Sequence, residues 1–558
     1  MKNNMGIDAD ESGFSGIPGR IRLLSLTAFR ISALYYLITA GLMLPLYLKS
    51  YNSLGTDKSF FWITHLKVTL WMFLVSAVLF LVSVIAGLIA KGGIHLPKSV
   101  LTDIKNKILP HEIWTVLFVL CICISYALSA RKDVAYLGEV NWYIGAWEYI
   151  AMCVCILVIG RIPMKGSFFT GTMIPSSLMV YEAGIIIDLV GKNLGIEGWN
   201  VSKVSTVGNG NWFCGYLVCV LFVPAALYMT ACLKETKNSR ALKVLSLFVF
   251  FAGSYCFFSQ GSASAYPAVL AGICLLLLFC GKDMERLKRI AELSVVFFSG
   301  GLVHAAAVKG GVYERSNDGV TKILDGPAFL LSAFAALIII TVIIRSRLKA
   351  GHDKTGFNAG NILIVAICAV IAVYIPLLTF NTASGGIFGT GPVLYFGEEW
   401  ASSRGMTIKV GLTLFRGETA VEKLFGAGPD TFYRLMTGGR FPLLAAKVEE
   451  FFGGARLTNA HCEPVTMLVN TGIAGTVCFY GMLISFLGKT FGASRMKPSD
   501  RAYAGSGHTV VLAASAGIVA YMVNNLFSFQ TAMNLSQLSL LMGFGASAVR
   551  QLSKTEDK

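Results

Sequence analysis

Residues 68–90 read VTLWMFLVSAVLFLVSVIAGLIA, twenty-three positions without a charged side chain. An α-helix rises 1.5 Å per residue, so this run is long enough to cross the roughly 30 Å hydrocarbon layer of a bilayer. Working outward from it, comparable runs recur near 30–48, 113–129, 142–160, 171–189, 213–232, 242–258, 265–281, 289–306, 327–344, 361–380, 464–488, 509–528 and 533–549. The chain is therefore expected to be an all-α polytopic membrane protein with about fourteen transmembrane helices, forming one membrane domain over residues 1–558. The run at 171–189 is the weakest, because it holds Glu182 and Asp188. Composition agrees: 55% of residues are hydrophobic, only 14% are charged, and the mean hydropathy is +0.65. A soluble protein carries about 25% charged residues.

The net charge of +16 does not point to nucleic acid, because the basic residues stand in short clusters at the ends of the apolar runs. That placement suits lipid headgroups and the setting of topology. With the N-terminus cytoplasmic, 29 of the 47 lysines and arginines fall on the inner segments. Ten fall on the short outer segments, and eight in one long loop, residues 381–463. Short loops carry the topogenic signal, so both termini are expected in the cytoplasm of a cytoplasmic (inner) membrane protein, with the long loop outside. Arg20, Arg22 and Arg30 precede the first run, but no small-residue cleavage site follows it, so the run is read as retained. Between Pro97 and Pro110, the segment 92–112 spaces apolar and basic residues like an interfacial helix, and a plain connector is the other reading. Cys121, Cys123, Cys153, Cys155, Cys274 and Cys280 lie inside apolar runs and act as small hydrophobes.

Given this topology, Glu148, Glu182, Asp188 and His304 fall in the outer halves of their helices, with Asn524 and Asn525 near an outer end. A charge in lipid is costly, so these groups imply a polar interior that opens outward. A transporter would keep such groups at the midplane between repeats, and no repeat is visible. The long loop is the other unusual feature. GMTIKVGLTLF (405–415) and ETAVEKLF (418–425) have helical spacing, and GAGPDTF (426–432) is a turn. In RLTNAHCEPVTMLV (456–469), Thr458 or Asn459 could cap a helix with Pro464 in its first turn. His461 would then stand above an apolar stripe, with Val465 and Leu468 at i+4 and i+7. It has three readings: a structural histidine, a metal ligand, or a general base. Metal is disfavoured, because no His or Cys cluster completes four ligands.

Three of these stretches, SSRGMTIKVGLTLF, LFGAGPDTF and NAHCEPVTMLVNTGIAGTVCFYGMLI, together resemble the core of the O-antigen ligase and O-antigen polymerase family over residues 400–490. The box here is Asn459, Ala460, His461, Cys462 and Glu463, followed by Thr471, Gly472, Ile473 and Gly475. The resemblance implies a C-type membrane glycosyltransferase-like fold. It also implies transfer of a glycan from an undecaprenyl diphosphate carrier to an acceptor hydroxyl on another glycan, a lipid or a wall polymer. No cofactor and no metal would be needed. His461 would be the base, Arg404 would hold the diphosphate, and Glu463 and Asn459 would flank the base. Glu148 and His304 are added as substrate-groove candidates. The sequence departs from the pattern twice. Cys462 replaces a common asparagine, and FFSQGSASAYPAVLAG (257–272) shows Ser262, Ala263 and Ser264 where the family has a second arginine. Arg416 and Arg456 are the candidates to replace it. A lipid-linked oligosaccharide flippase and a non-catalytic family member are the rival expectations.

Overall fold

The computed structural model describes residues 16–49, 53–90, 108–193, 205–231, 237–312, 319–391, 393–494 and 507–556. Most of the 92–112 segment lies outside them. Among the described residues every named element is helical, and two isolated bridges, Ser205 with Gly208 and Asp283 with Lys354, interrupt the pattern. The protein is an all-α multi-pass membrane protein.

Among the described residues, eleven helices are long and apolar enough to span a bilayer, against the fourteen expected. The difference has two physical causes. Ala146–Arg161 and Ala265–Cys280 are helices of 16 residues each. At 1.5 Å per residue they measure about 24 Å, shorter than the hydrocarbon layer. Ala532–Glu556 is long enough, with 25 residues, but carries Asn534, Ser536, Gln537 and Ser539 fully inside the protein. Its polar groups face other helices, so it has no need of a uniformly apolar surface. The first helix also begins earlier than expected, at Gly16.

Burial runs from the inside outward. The apolar window of Gly210–Thr230 is wholly enclosed, and that of Gly507–Asn524 is 72% buried. In Ala359–Ala383 the window has no buried residue, and in Pro327–Lys349 only 17% is buried, so these two present apolar side chains to lipid. Helix ends meet as the alternating topology requires. Glu112 opens one helix, Arg161 closes another and Arg550 lies near the end of the last, and both arginines pair with Glu112, at 2.9 and 2.6 Å. Nearby in kind, Arg289 donates to the carbonyls of Tyr228, Met229 and Ala231, satisfying the end of Gly210–Thr230. The long loop belongs to the opposite end of the bundle, where Glu463 and Gln530 meet. It folds around a hydrophobic cluster of its own that includes Met406, Val410, Leu414, Phe432, Met436, Val448 and Leu457.

Candidate active site

The three motif stretches form one unit, and a break in a helix is what joins them. Glu463–Ser494 is interrupted at Gly472, whose φ of 67° and ψ of −174° take the backbone out of the helix. The break frees the carbonyls of Val469 and Asn470. The turn of the second stretch fills them: Ala427 N donates to Val469 O at 2.9 Å and Gly428 N to Asn470 O at 3.1 Å. Ser125 Oγ also reaches Asn470 O, at 3.1 Å. Both sides of this joint need glycine. A Cβ at Gly426, where φ is +83°, would lie 2.2 Å from Asn470 O, and one at Gly472 would lie 2.4 Å from Leu424 C.

The first stretch supplies Arg404. Ala401, Ser402 and Ser403 hold left-handed φ values of 50°, 57° and 68°, an abrupt corner before the helix proper. Gly405 lets the corner close, because a Cβ there would sit 1.8 Å from Gly397 O. Arg404 Nη1 donates to Ser402 O at 2.9 Å and Nε to Phe527 O at 3.4 Å, which aims the guanidinium across the 525–530 turn.

His461 precedes its helix instead of standing on it, so the expected stripe with Val465 and Leu468 does not orient it. Neither Thr458 nor Asn459 caps Glu463–Ser494. Asn459 Oδ1 accepts from His461 N at 3.0 Å, Thr466 Oγ1 accepts from Ala460 N at 3.0 Å, and Glu463 N donates to Asn525 O at 2.8 Å. Pro464 does fall in the first turn. The imidazole packs edge-on against Phe529, with ring centroids 5.0 Å apart. Its Nδ1 is enclosed without a hydrogen-bond partner. Burial, and then the positive charge of Arg404, push the imidazole down to about 4, so it is neutral near pH 7. Cys462 stays a thiol, because burial pushes it up to about 11.

Behind these groups lies a layer of enclosed polar residues that supports them. Glu463, 3% exposed, accepts from Gln530 N at 3.0 Å, and Tyr149 OH donates to Gln530 Oε1. Asp430 accepts from Glu139 N at 2.7 Å and Ile144 N at 3.3 Å. Burial pushes the Asp430 carboxyl up to about 8 against those two bonds, with Glu139 adding to the rise. Glu139 in turn holds Arg434 through both oxygens, at 2.7 and 3.1 Å, and Arg456 at 3.2 Å. The Arg456 guanidinium lies 4.5 Å from the Tyr433 ring centre. Among the described residues, the non-glycine positions with positive φ are Asn141, Tyr143, Ala401, Ser402, Ser403, Asp430 and His461. All seven lie in the loops that build this site, each at a cost of roughly 1–2 kcal/mol. Strain concentrated in this way marks functional sites.

The expected residues therefore divide. His461, Arg404, Asn459 and Glu463 converge, with Glu463 too buried to touch a ligand, so it is a positioning residue. Arg456 is adjacent but bound to Glu139. Arg416 is exposed at the far end of Trp400–Gly417, twelve positions from Arg404, or about 18 Å along the axis. It does not join the cluster. Glu148 is fully buried, accepts from Gly145 N at 3.0 Å and closes the start of its own helix, so no ligand reaches it. His304 lines a separate cavity walled by other helices. Ser262 and Ser264 do lie near the site: Ser262 donates to Asn211 Oδ1 at 2.8 Å and Ser264 to Asn524 Oδ1 at 3.3 Å. Asp430, Glu139 and Arg434 were missed as site residues, and of the 525–530 turn only Asn525 had been singled out. Of the first three, Asp430 had a signal, its place in the GAGPDTF turn. Compared with family models and with curated proteins, the chain matches none.

Proposed function

We propose that the protein transfers a glycan from an undecaprenyl diphosphate-type carrier to an acceptor hydroxyl, at the outer face of the cytoplasmic membrane. The observation that carries this reading is the convergence of His461 and Arg404, from stretches about sixty residues apart, in one strained and internally braced unit. In the reaction the acceptor oxygen attacks the anomeric carbon as its proton passes to the imidazole. The bond from that carbon to the diphosphate oxygen breaks, and its electron pair leaves with the diphosphate. Arg404 presents a fixed guanidinium to that growing negative charge. Direct displacement inverts the anomeric centre. A neutral imidazole is the form a base needs, and a diphosphate beside Arg404 would offset the guanidinium and raise the proton affinity of His461 as substrate binds.

The site sits at the end of the bundle, which suits a substrate whose tail stays in lipid and whose sugar stands in water. The test is transfer in vitro from a defined undecaprenyl diphosphate glycan by the purified chain. His461→Ala and Arg404→Ala should each lower the rate at least about 100-fold, with His461 loss reaching toward 10⁴. No dependence on added divalent metal is expected. Turnover that survives both substitutions would remove the mechanism, and carrier movement across liposomes without transfer would favour a flippase.

A further inference from the structure

Ala359–Ala383 is the helix whose apolar window has no buried residue, so its sides meet lipid. Residues 361–380 carry no charge, and at 1.5 Å per residue they measure about 30 Å, the whole of the hydrocarbon layer. Phe380 therefore lies at the edge of that layer, and Tyr374 about 9 Å inside it. The chain after Ala383 does not run straight out into water. It folds back beside the last turns of the helix. Tyr374 OH donates to Val393 O at 2.7 Å, and Asn381, about two turns further on, donates through Nδ2 to Leu394 O at 2.8 Å and Gly389 O at 2.9 Å. Phe388 N donates to Asn381 Oδ1 at 2.7 Å, and the Phe388 ring centre lies 6.2 Å from that of Phe380.

We infer that this returning chain is seated, through Ile387, Phe388 and Val393, in the lipid leaflet nearer Ala383, and anchors the long loop to the bilayer. All three side chains are more than half exposed, as is Phe380 beside them. Such a group of large apolar side chains is unfavourable in water and at home against acyl chains. Composition agrees, because residues 381–397 hold no charged side chain and the first carboxylates, Glu398 and Glu399, come just before Trp400. The backbone agrees as well. Irregular chain at membrane depth must have its polar groups satisfied by protein, because lipid cannot satisfy them. Besides the bonds to Tyr374 and Asn381, Phe396 N donates to Thr382 Oγ1 at 2.9 Å, Gly386 N to Asn381 O at 2.8 Å, and Gly389 N to Gly386 O at 2.8 Å. Lipid is the occupant, and not a second copy, because the apolar side chains continue from Phe380 on the lipid-facing helix directly to Phe388. The anchor also bears on the candidate site. Trp400 Nε1 donates to Tyr374 OH at 3.3 Å, the Trp400 ring centre lies 6.3 Å from that of Phe527, and Phe527 O accepts from Arg404 Nε. Tyrosine and tryptophan favour the membrane interface, so this linkage fixes the depth at which the Arg404 corner stands. The inference does not depend on His461 being a base.

The test places the photo-reactive residue p-benzoylphenylalanine singly at Ile387, Phe388 or Val393 of the full chain, in liposomes of phosphatidylethanolamine and phosphatidylglycerol. After irradiation, mass spectrometry measures the phospholipid joined to the protein. Two further positions set the scale. Ile371, on the lipid-facing helix, gives the yield in acyl chains, and Glu450, exposed on Pro442–Phe452, gives the yield in water. Each of the three loop positions should give lipid adducts within about threefold of Ile371 and at least about tenfold above Glu450. Circular dichroism and gel filtration establish that each variant is folded, and three separate positions keep the result decidable if one of them fails. Lipid yields no higher than at Glu450 in the folded variants overturn the inference. A cross-linked dimer in place of lipid adducts assigns the surface to a second copy of the chain and overturns it equally.

Discussion

Substituting alanine at Gly426 tests whether the loop and the broken helix are one unit. Two terms add. The first is conformational: with φ at +83°, an alanine is strained by about 1 kcal/mol. The second is steric, and it cannot relax through a side chain. The new Cβ would face Asn470 O at 2.2 Å, Asn470 C at 2.3 Å and Thr471 N at 2.4 Å, all backbone. To escape, the turn must lift away and give up the bonds from Ala427 N and Gly428 N, each worth about 0.5–1.5 kcal/mol. The total is about 2–4 kcal/mol. Gly439 is the control, because its φ of +87° is nearly the same, yet a Cβ there meets nothing within 4 Å. Gly439→Ala should therefore show the first term alone. The assay is thermal unfolding of the purified chain in detergent, with limited proteolysis of the loop read alongside. Gly426→Ala should unfold at clearly lower temperature than Gly439→Ala, and its loop should be cut faster. Equal effects from the two variants would refute the joint as the element that holds the loop in place.

Three further outcomes follow from the same geometry. Asp430, raised in the folded state above its unfolded value, binds its proton more tightly when folded, so its contribution is full below about 3.8, is lost progressively as pH rises from there to about 8, and changes no further above that. Asp430→Asn cannot ionise, so its melting temperature should gain on that of wild type steadily from about pH 4 to pH 8, and a parallel pH dependence in both proteins over that range would contradict this. His461, lowered when folded, has the opposite sign: stability should fall as pH drops from about 6.5 toward 4, where the unfolded chain takes the proton first. His461→Gln should flatten that slope in a melting series, and an unchanged slope assigns it to other groups. Glu139→Gln leaves Arg434 and Arg456 without their shared carboxylate and should cost about 1–3 kcal/mol, read as a drop in melting temperature, with no change as the refuting result.

The apolar runs announced nearly all the helices, because lipid imposes a length and a composition that survive in one dimension. Where the count differed, as in Ala532–Glu556, the reason was burial against other helices, which a hydropathy pattern cannot register. The same limit explains the site. Position along the helix axes can be read from the apolar runs, which put His304 toward the end of its helix and Glu148 near the start of its own. Position within the membrane plane cannot, and there His304 belongs to another cavity and Glu148 to its own helix start. His461, Arg404 and Asn459 were legible as motifs because they lie close to one another in sequence or share the loop. Glu139 was not, since it comes from a turn almost three hundred residues earlier. Nor could the left-handed corner at Ala401, Ser402 and Ser403 be foreseen, because none of the three is a glycine or asparagine.

The polar surface of Ala532–Glu556 has a consequence for how the chain is made. This helix is the last of the described elements to be synthesised, and Asn534, Ser536 and Gln537 would be poorly tolerated by bare lipid. Its entry into the bilayer must therefore await a groove already assembled from earlier segments, where Gln537 finds Ala40 O and Tyr36 finds Ser539. A segment from early in the chain thus receives one from late in it, so a ribosome that stops before Ala532 leaves a bundle whose wettest seam is open to the membrane.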